Sequence, residues 1–423
     1  MDNDGLTNSH PTLSTPGDTS RVHTRVLRAS PAQRLFALLS RETSSGRFIP
    51  EMDGLRFVAI GMVVLFHLSG YLTAKSSMHY STPPQADWLG QIALVGFRGV
   101  ELFFVISGFI LALPFAAHHV QGAPAVKLSK YYLRRLTRLE PPYFVTVFLL
   151  FLLAVWVQGR ATADLRPHLG ASLFYVHNLI YGTSSPVIGV AWSLEIEVQF
   201  YILVPLLTLL FIIRRPWLRR STLVVMSLVL IASQTVFLQG ARSSLSILGY
   251  LQFFLMGFLL ADIYLNDWCD SQARSLFWDA AALAGWALLF VLLRYPALTH
   301  WLFPFTILLL YCAAFRGVLS NYLFTRPWIT TIGGMCYSIY LIHYDLISLV
   351  GRFTRDISFG HSYWSYLLIQ LALVGTWIFV ICGVYFLLLE KPCMRRDWPV
   401  RLYAYLQRLS LTGKKPLQPS AAD

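Results

Sequence analysis

The chain has 423 residues, 56% hydrophobic, 15% aromatic and only 13% charged, and its mean hydropathy is +0.55. Soluble domains are about a quarter charged, so this composition excludes one and points to a polytopic membrane protein. The net charge of +13 does not call for nucleic acid, because the basic residues stand between apolar stretches, where they set orientation and meet anionic headgroups.

Residues 1–54 form a polar, Arg-dotted tail without the apolar core of a secretory signal. The Ser/Arg-rich, acid-poor run 19–47 is similar in composition to an organelle transit peptide. The reading adopted is a cytoplasmic juxtamembrane tail, with a short amphipathic helix around 32–39. The five cysteines (Cys269, Cys312, Cys336, Cys382 and Cys393) are scattered, three of them in apolar segments. Neither a disulfide framework nor a metal site is expected.

Apolar windows predict about ten spans, near 56–74, 97–117, 141–158, 190–213, 221–238, 246–265, 277–294, 298–315, 329–350 and 364–389. Short connections and the lack of an internal repeat predict one all-α bundle. With ten spans, 26 of the 34 Lys and Arg fall on one side, which places both termini in the cytoplasm. The predicted organisation is a tail (1–54), a transmembrane domain (55–390) and a second cytoplasmic tail (391–423). The apolar stretch 168–182 is too short to cross and is read as interfacial or re-entrant on the outer side.

The first span opens Glu51-Met-Asp-Gly-Leu-Arg56 and carries His67. On a helix these two share a face and lie about 16 Å apart along the axis. That puts Arg56 at one surface and His67 near mid-membrane, where an ionisable group points to function; a histidine bonding a neighbouring helix is the plain alternative. The second span carries Glu101 and, deeper, Ser107-Gly108. Arg98 and Glu101 are spaced to pair with each other, and Ser107-Gly108 suits a small-residue helix contact.

Arg134, Arg135 and Arg138 precede the third span on the inner side. Three guanidiniums in one turn suit a polyphosphate ligand, although such clusters also serve as topology signals. The fourth span opens Trp192-Ser193-Leu-Glu195-Ile-Glu197-Val-Gln199-Phe-Tyr201. Ser193, Glu197 and Tyr201 form one polar stripe, whereas Glu195 points elsewhere, which is tolerable only near the surface. The ninth span places His343 about 20 Å from the inner surface. His67, Glu101, Ser193, Glu197 and His343 thus fall in the middle or outer half, and the arginines at the inner level.

These residues resemble the acyltransferase family 3 integral membrane proteins, which include bacterial O-antigen, exopolysaccharide and Nod-factor O-acetylases. The resemblance runs through Asp53-Gly-Leu-Arg56 with His67, Gly99-Val-Glu101-Leu-Phe-Phe-Val-Ile-Ser107-Gly108-Phe109, Arg134-Arg135-Leu-Thr-Arg138, the Trp192–Tyr201 stretch, Ser338-Ile-Tyr-Leu-Ile-His343 and Glu390-Lys391-Pro392. Glu101 stands where the family usually has Asp, and Val198 where it often has a second acid.

The resemblance implies ten helices that move an acyl group, usually acetyl, from cytoplasmic acyl-CoA to a carbohydrate hydroxyl at or beyond the outer half of the membrane. It implies that Arg134, Arg135 and Arg138 bind the donor and that Arg56, His67 and Glu197 are the catalytic set. Glu101, Ser107, Trp192, Ser193, Tyr201 and His343 are expected to bind the acceptor or support the site. His67 is either general base or transient acyl carrier. Acyl-CoA is expected as co-substrate, with a carbohydrate or glycolipid acceptor, membrane lipids as surroundings, no permanent cofactor and no nucleic acid. With about thirty residues after the last span, a version without an extracytoplasmic domain is expected, in a bacterial inner membrane. The competing class is a proton-coupled carrier for a lipid-linked sugar or anionic solute, though the repeated halves common in such carriers are not visible.

Overall fold

The structure, a computed structural model, describes residues 30–42, 48–76, 83–84, 86–268, 273–292, 295–395, 397–401 and 407. Most of the tail 1–54, including most of the run 19–47, lies outside the described residues, as do Cys269, the end of the span 277–294 and most of the tail 391–423.

Regular structure among the described residues is entirely helical: α1 (Pro31–Leu39), α2 (Pro50–Lys75), α3 (Trp88–Val95), α4 (Gly99–Gln121), α5 (Leu128–Trp156), α6 (Thr162–Leu173), α7 (His177–Tyr181), α8 (Trp192–Leu207), α9 (Pro216–Val236), α10 (Leu251–Asn266), α11 (Leu276–Leu292), α12 (Pro296–Arg316), α13 (Leu319–Phe324), α14 (Pro327–Gly334), α15 (Cys336–Thr354) and α16 (Tyr363–Tyr385). Among the described residues, six runs are long and apolar enough to cross a membrane: Pro50–Lys75, Trp88–Gln121, Leu128–Trp156, Gly189–Ile212, Pro296–Arg316 and Tyr363–Cys393. Two further apolar helices, α10 and α11, are shorter. The chain is a multi-pass membrane protein.

Two of the differences from the spans read in the sequence bear on the site. The third was expected to start near residue 141, yet α5 begins at Leu128 and carries the arginine cluster through Pro141-Pro142. A proline inside a helix strips the carbonyl four residues back of its donor. Here the Thr137 carbonyl accepts from the Trp398 indole N–H at 2.9 Å, so the helix survives. The ninth span is broken at Met335 into α14 and α15. Gly333 lets α14 lie against α2, since a Cβ there would sit 1.8 Å from the Asp53 carbonyl oxygen. The stretch 168–182 holds the end of α6 and all of α7, neither helix long enough to cross, with Tyr175 in the left-handed region at the turn between them (φ 56°).

Small residues set the closest packing, as expected where lipid leaves helices no hydrophobic drive to associate. A Cβ on Gly108 of α4 would lie 2.2 Å from the Phe254 carbonyl oxygen of α10, and one on Gly257 of α10 2.3 Å from that of Val105. One buried charge is paired between helices: Asp262 holds Arg219, itself 2% exposed, and Arg220.

Candidate active site

A cavity of about 130 Å³ opens between α2, α4, α5, α8 and the start of α15. Arg56, Ser107, Arg135, Arg138, Ser193, Glu197 and Tyr201 all line it. Seven residues singled out in the sequence, from four helices, therefore face one space. The continuity of α5 explains the arginines: they sit on a helix that runs on into the bundle, not on a loop at the surface. Their level thus coincides with that of Glu197 and Ser193, where the sequence had placed two levels.

The carboxylate and hydroxyls are held in order. Ser107 Oγ donates to Glu197 Oε1 at 2.5 Å. Tyr340 OH donates to the Val190 carbonyl at 2.8 Å and accepts from Ser193 Oγ at 2.6 Å. Arg135 lies 5.6 Å and 5.8 Å from the ring centroids of Tyr131 and Tyr201. The Nε atoms of Arg135 and Arg138 are buried with no hydrogen-bond partner among the described residues. Buried donors without acceptors are costly, so an oxygen-rich anion fits here. A second, more apolar cavity of about 250 Å³ shares Arg135, Glu197 and Tyr201 and continues to Glu140 and Tyr175.

His67 and His343 do not line this cavity; they face each other beyond it, with ring centroids 5.2 Å apart. His343 is fully buried, and its Nδ1 contacts the Ile339 and Tyr340 carbonyls at 3.0 and 2.9 Å. Carbonyls only accept, so Nδ1 carries the proton and Nε2, which has no partner among the described residues, carries a lone pair in the neutral ring. Tyr340 lines the cavity and its ring lies 5.9 Å from His343, connecting the two places.

Other expected residues lie apart. Arg134 is half-buried and not in the cavity wall. Glu101 pairs with Arg98 at 3.1 Å and lines a separate cavity of about 260 Å³ with Gln234, Tyr250, Gln252 and His300. Trp192 packs on Tyr250 at 5.6 Å. Glu195 was expected near the surface; it is wholly buried and accepts the Asn178 amide at 2.7 Å at the start of α7. A helix start supplies unpaired amides that welcome a carboxylate, and nothing local in the sequence reveals that partner.

The sequence reading gave Tyr340 no role, although it stands one helical turn before His343. It also gave none to Glu390. A π-helical turn, Phe386–Glu390, brings Glu390 into the bundle, where it accepts from Ser338 N at 3.0 Å and Ser338 Oγ at 2.5 Å. A larger cavity, about 470 Å³ between α2, α11 and α12, offers little chemistry. Its walls are mostly hydrocarbon; the exceptions are Trp286, Tyr311, whose hydroxyl donates to the Leu102 carbonyl at 2.8 Å, and Asp279 and Ser320, which bond each other at 2.7 Å.

A helical membrane bundle whose interior joins unpartnered guanidinium donors, a carboxylate and a histidine pair is equipped for group transfer inside a membrane. Residues 49–389 match the family model described as an acyltransferase domain, and the chain belongs to that family. Over 338 residues it is 26% identical to O-acetyltransferase OatA of Staphylococcus aureus, covering 73% of this chain and 52% of that protein. Over 179 residues it is 30% identical to peptidoglycan O-acetyltransferase OatA of Listeria monocytogenes, covering 40% of this chain and 25% of that one. The chain therefore spans about half the length of the first relative and a quarter of the second. No solved structure matches it.

Proposed function

We propose that the protein transfers an acetyl group from cytoplasmic acetyl-CoA to a hydroxyl of an extracytoplasmic or lipid-linked carbohydrate, in a bacterial inner membrane. In this reading ten helices cross the membrane as a domain of residues 55–390, with cytoplasmic tails 1–54 and 391–423. The observation that carries it is the cavity in which Arg56, Arg135 and Arg138 meet Glu197, with two buried guanidinium Nε atoms that lack an acceptor among the described residues. Phosphate oxygens are the acceptors that suit such donors. The names of the two relatives support acetyl as the group and carbohydrate as the acceptor.

The arginines hold the donor's phosphates, and the extended pantetheine arm runs the roughly 16 Å toward His67. His67 takes the proton of the acceptor hydroxyl as its oxygen attacks the thioester carbonyl. The C–S bond breaks, and the departing thiolate takes from His67 the proton that came from the hydroxyl. The lone pair of His343 Nε2 faces the imidazolium while it lasts. Glu197, oriented by Ser107, balances the arginines, and the polar cavity around Glu101 and Tyr250 receives the sugar.

Calorimetric titration of the purified protein in nanodiscs with CoA tests the donor site. Wild type binds, and the double variant Arg135→Ala/Arg138→Ala binds about 10- to 100-fold more weakly, the loss of a charge-assisted hydrogen bond. Equal affinity of the two would remove the donor site from this cavity.

A further inference from the structure

The segment 30–42 precedes the family match, which begins at residue 49, yet it is built into the bundle. Ser30 and Gln33 close a reciprocal cap on α1. Leu39 is 3% exposed and stands against Gly383 of α16. Lys391 Nζ donates to the Leu38 carbonyl at 2.5 Å, and Arg395 pairs with Glu42 at 3.1 Å. The segment thus bridges the start of α2 and the end of α16, with Leu35 and Leu38 exposed for the membrane boundary.

The consequence is where Arg41 lands. Its Nη1 donates to Asp53 Oδ1 at 2.8 Å, and the same oxygen also takes Arg56. Its stem lies over Gly334, where α14 and α15 part. Its Nε is buried with no partner among the described residues, as are those of Arg135 and Arg138. Through Asp53, Arg41 joins Arg56, which lines the cavity together with Arg135 and Arg138. Four guanidiniums, those of Arg41, Arg56, Arg135 and Arg138, so converge, opposed by the carboxylates of Asp53, Glu390 and Glu197. Four guanidiniums against three carboxylates leave positive charge in excess, which a bound anion offsets.

We propose that Arg41, supplied by the segment ahead of the family domain, is a fourth arginine of the donor site and binds a phosphate oxygen of acyl-CoA. This rests on the acyltransferase reading above. Asp53 aims the guanidinium, and the contacts of Leu38, Leu39 and Glu42 hold the segment in place. Donor affinity then depends on residues that lie outside the matched domain.

The test compares two donors in nanodiscs of zwitterionic lipid, which removes anionic headgroups as a rival source of phosphate. Acetyl-CoA carries the phosphates, and S-acetylpantetheine carries the same thioester without them. Arg41→Ala raises the KM for acetyl-CoA about tenfold or more and leaves that for S-acetylpantetheine unchanged; Arg41→Lys recovers part of the loss. Arg34→Ala, an exposed charge on the same helix, changes neither. Equal damage with both donors would make Arg41 structural, and an effect confined to anionic lipid would make the headgroup its ligand; either overturns the proposal. CoA titration of the same proteins separates the two readings. Wild type that binds CoA no better than Arg41→Ala overturns the role of Arg41 alone, whereas wild type that neither binds CoA nor turns over acetyl-CoA overturns both.

Discussion

The rings of His67 and His343 lie 5.2 Å apart, and the backbone of α15 fixes which nitrogen of His343 bears its proton. With Nδ1–H turned to two carbonyls, neutral His343 has a lone pair at Nε2 and no proton to give there. It is suited to face an imidazolium at His67, not to donate to an oxyanion. His343→Ala is expected to lower kcat about 10²-fold or more while CoA affinity stays within twofold, as read by turnover and titration of the same preparation.

Ser107 and Glu197 are 90 residues apart in sequence and 2.5 Å apart in space. Ser107→Ala removes one hydrogen bond to a charged group, worth about 1.5–3 kcal/mol. The expected loss in kcat/KM is about 10- to 100-fold. Glu197→Gln, which keeps the shape and removes the charge, should cost at least as much.

The contact between α4 and α10 leaves no room for a side chain at Gly257. Gly257→Ala should lower stability by about 1–3 kcal/mol through overpacking. Thermal unfolding in detergent reads it directly, and an unchanged midpoint would mean that the helices separate at no cost.

Arg219→Ala leaves Asp262 buried with Arg220 as its remaining basic partner. Removing one member of a buried pair costs about 3–5 kcal/mol, so this variant should unfold earlier. Activity per folded molecule should stay at the wild-type level, because Arg219 lies outside the cavity that holds Glu197.

Much of this was legible in the sequence because a membrane makes polar residues conspicuous. Arg56, Ser107, Arg135, Arg138, Ser193, Glu197 and Tyr201 stood out against apolar helices, and the structure turns all seven to one cavity. What the sequence did not show were relations that depend on tertiary placement. Glu195 looked like a surface acid because its partner, the start of α7, is a backbone feature without a side-chain signature. The third span was read from near residue 141, and the continuity of α5 through Pro141-Pro142 was hidden because the donor that meets the Thr137 carbonyl comes from Trp398, far along the chain. Arg41 looked like one tail arginine among several until α1 was seen to pack on the ends of α2 and α16. Glu101 was grouped with the histidines by depth alone, and depth along a helix does not say which neighbours it faces.

The central claim is that His67, beyond the arginine cavity, mediates acyl transfer. The most direct measurement is label transfer from radiolabelled acetyl-CoA to a crude envelope glycan fraction, by wild-type and His67→Ala proteins inserted equally in nanodiscs. The account predicts that wild type labels the glycan and that His67→Ala, still binding CoA, leaves it unlabelled. Glycan labelled by His67→Ala at the wild-type rate would contradict it.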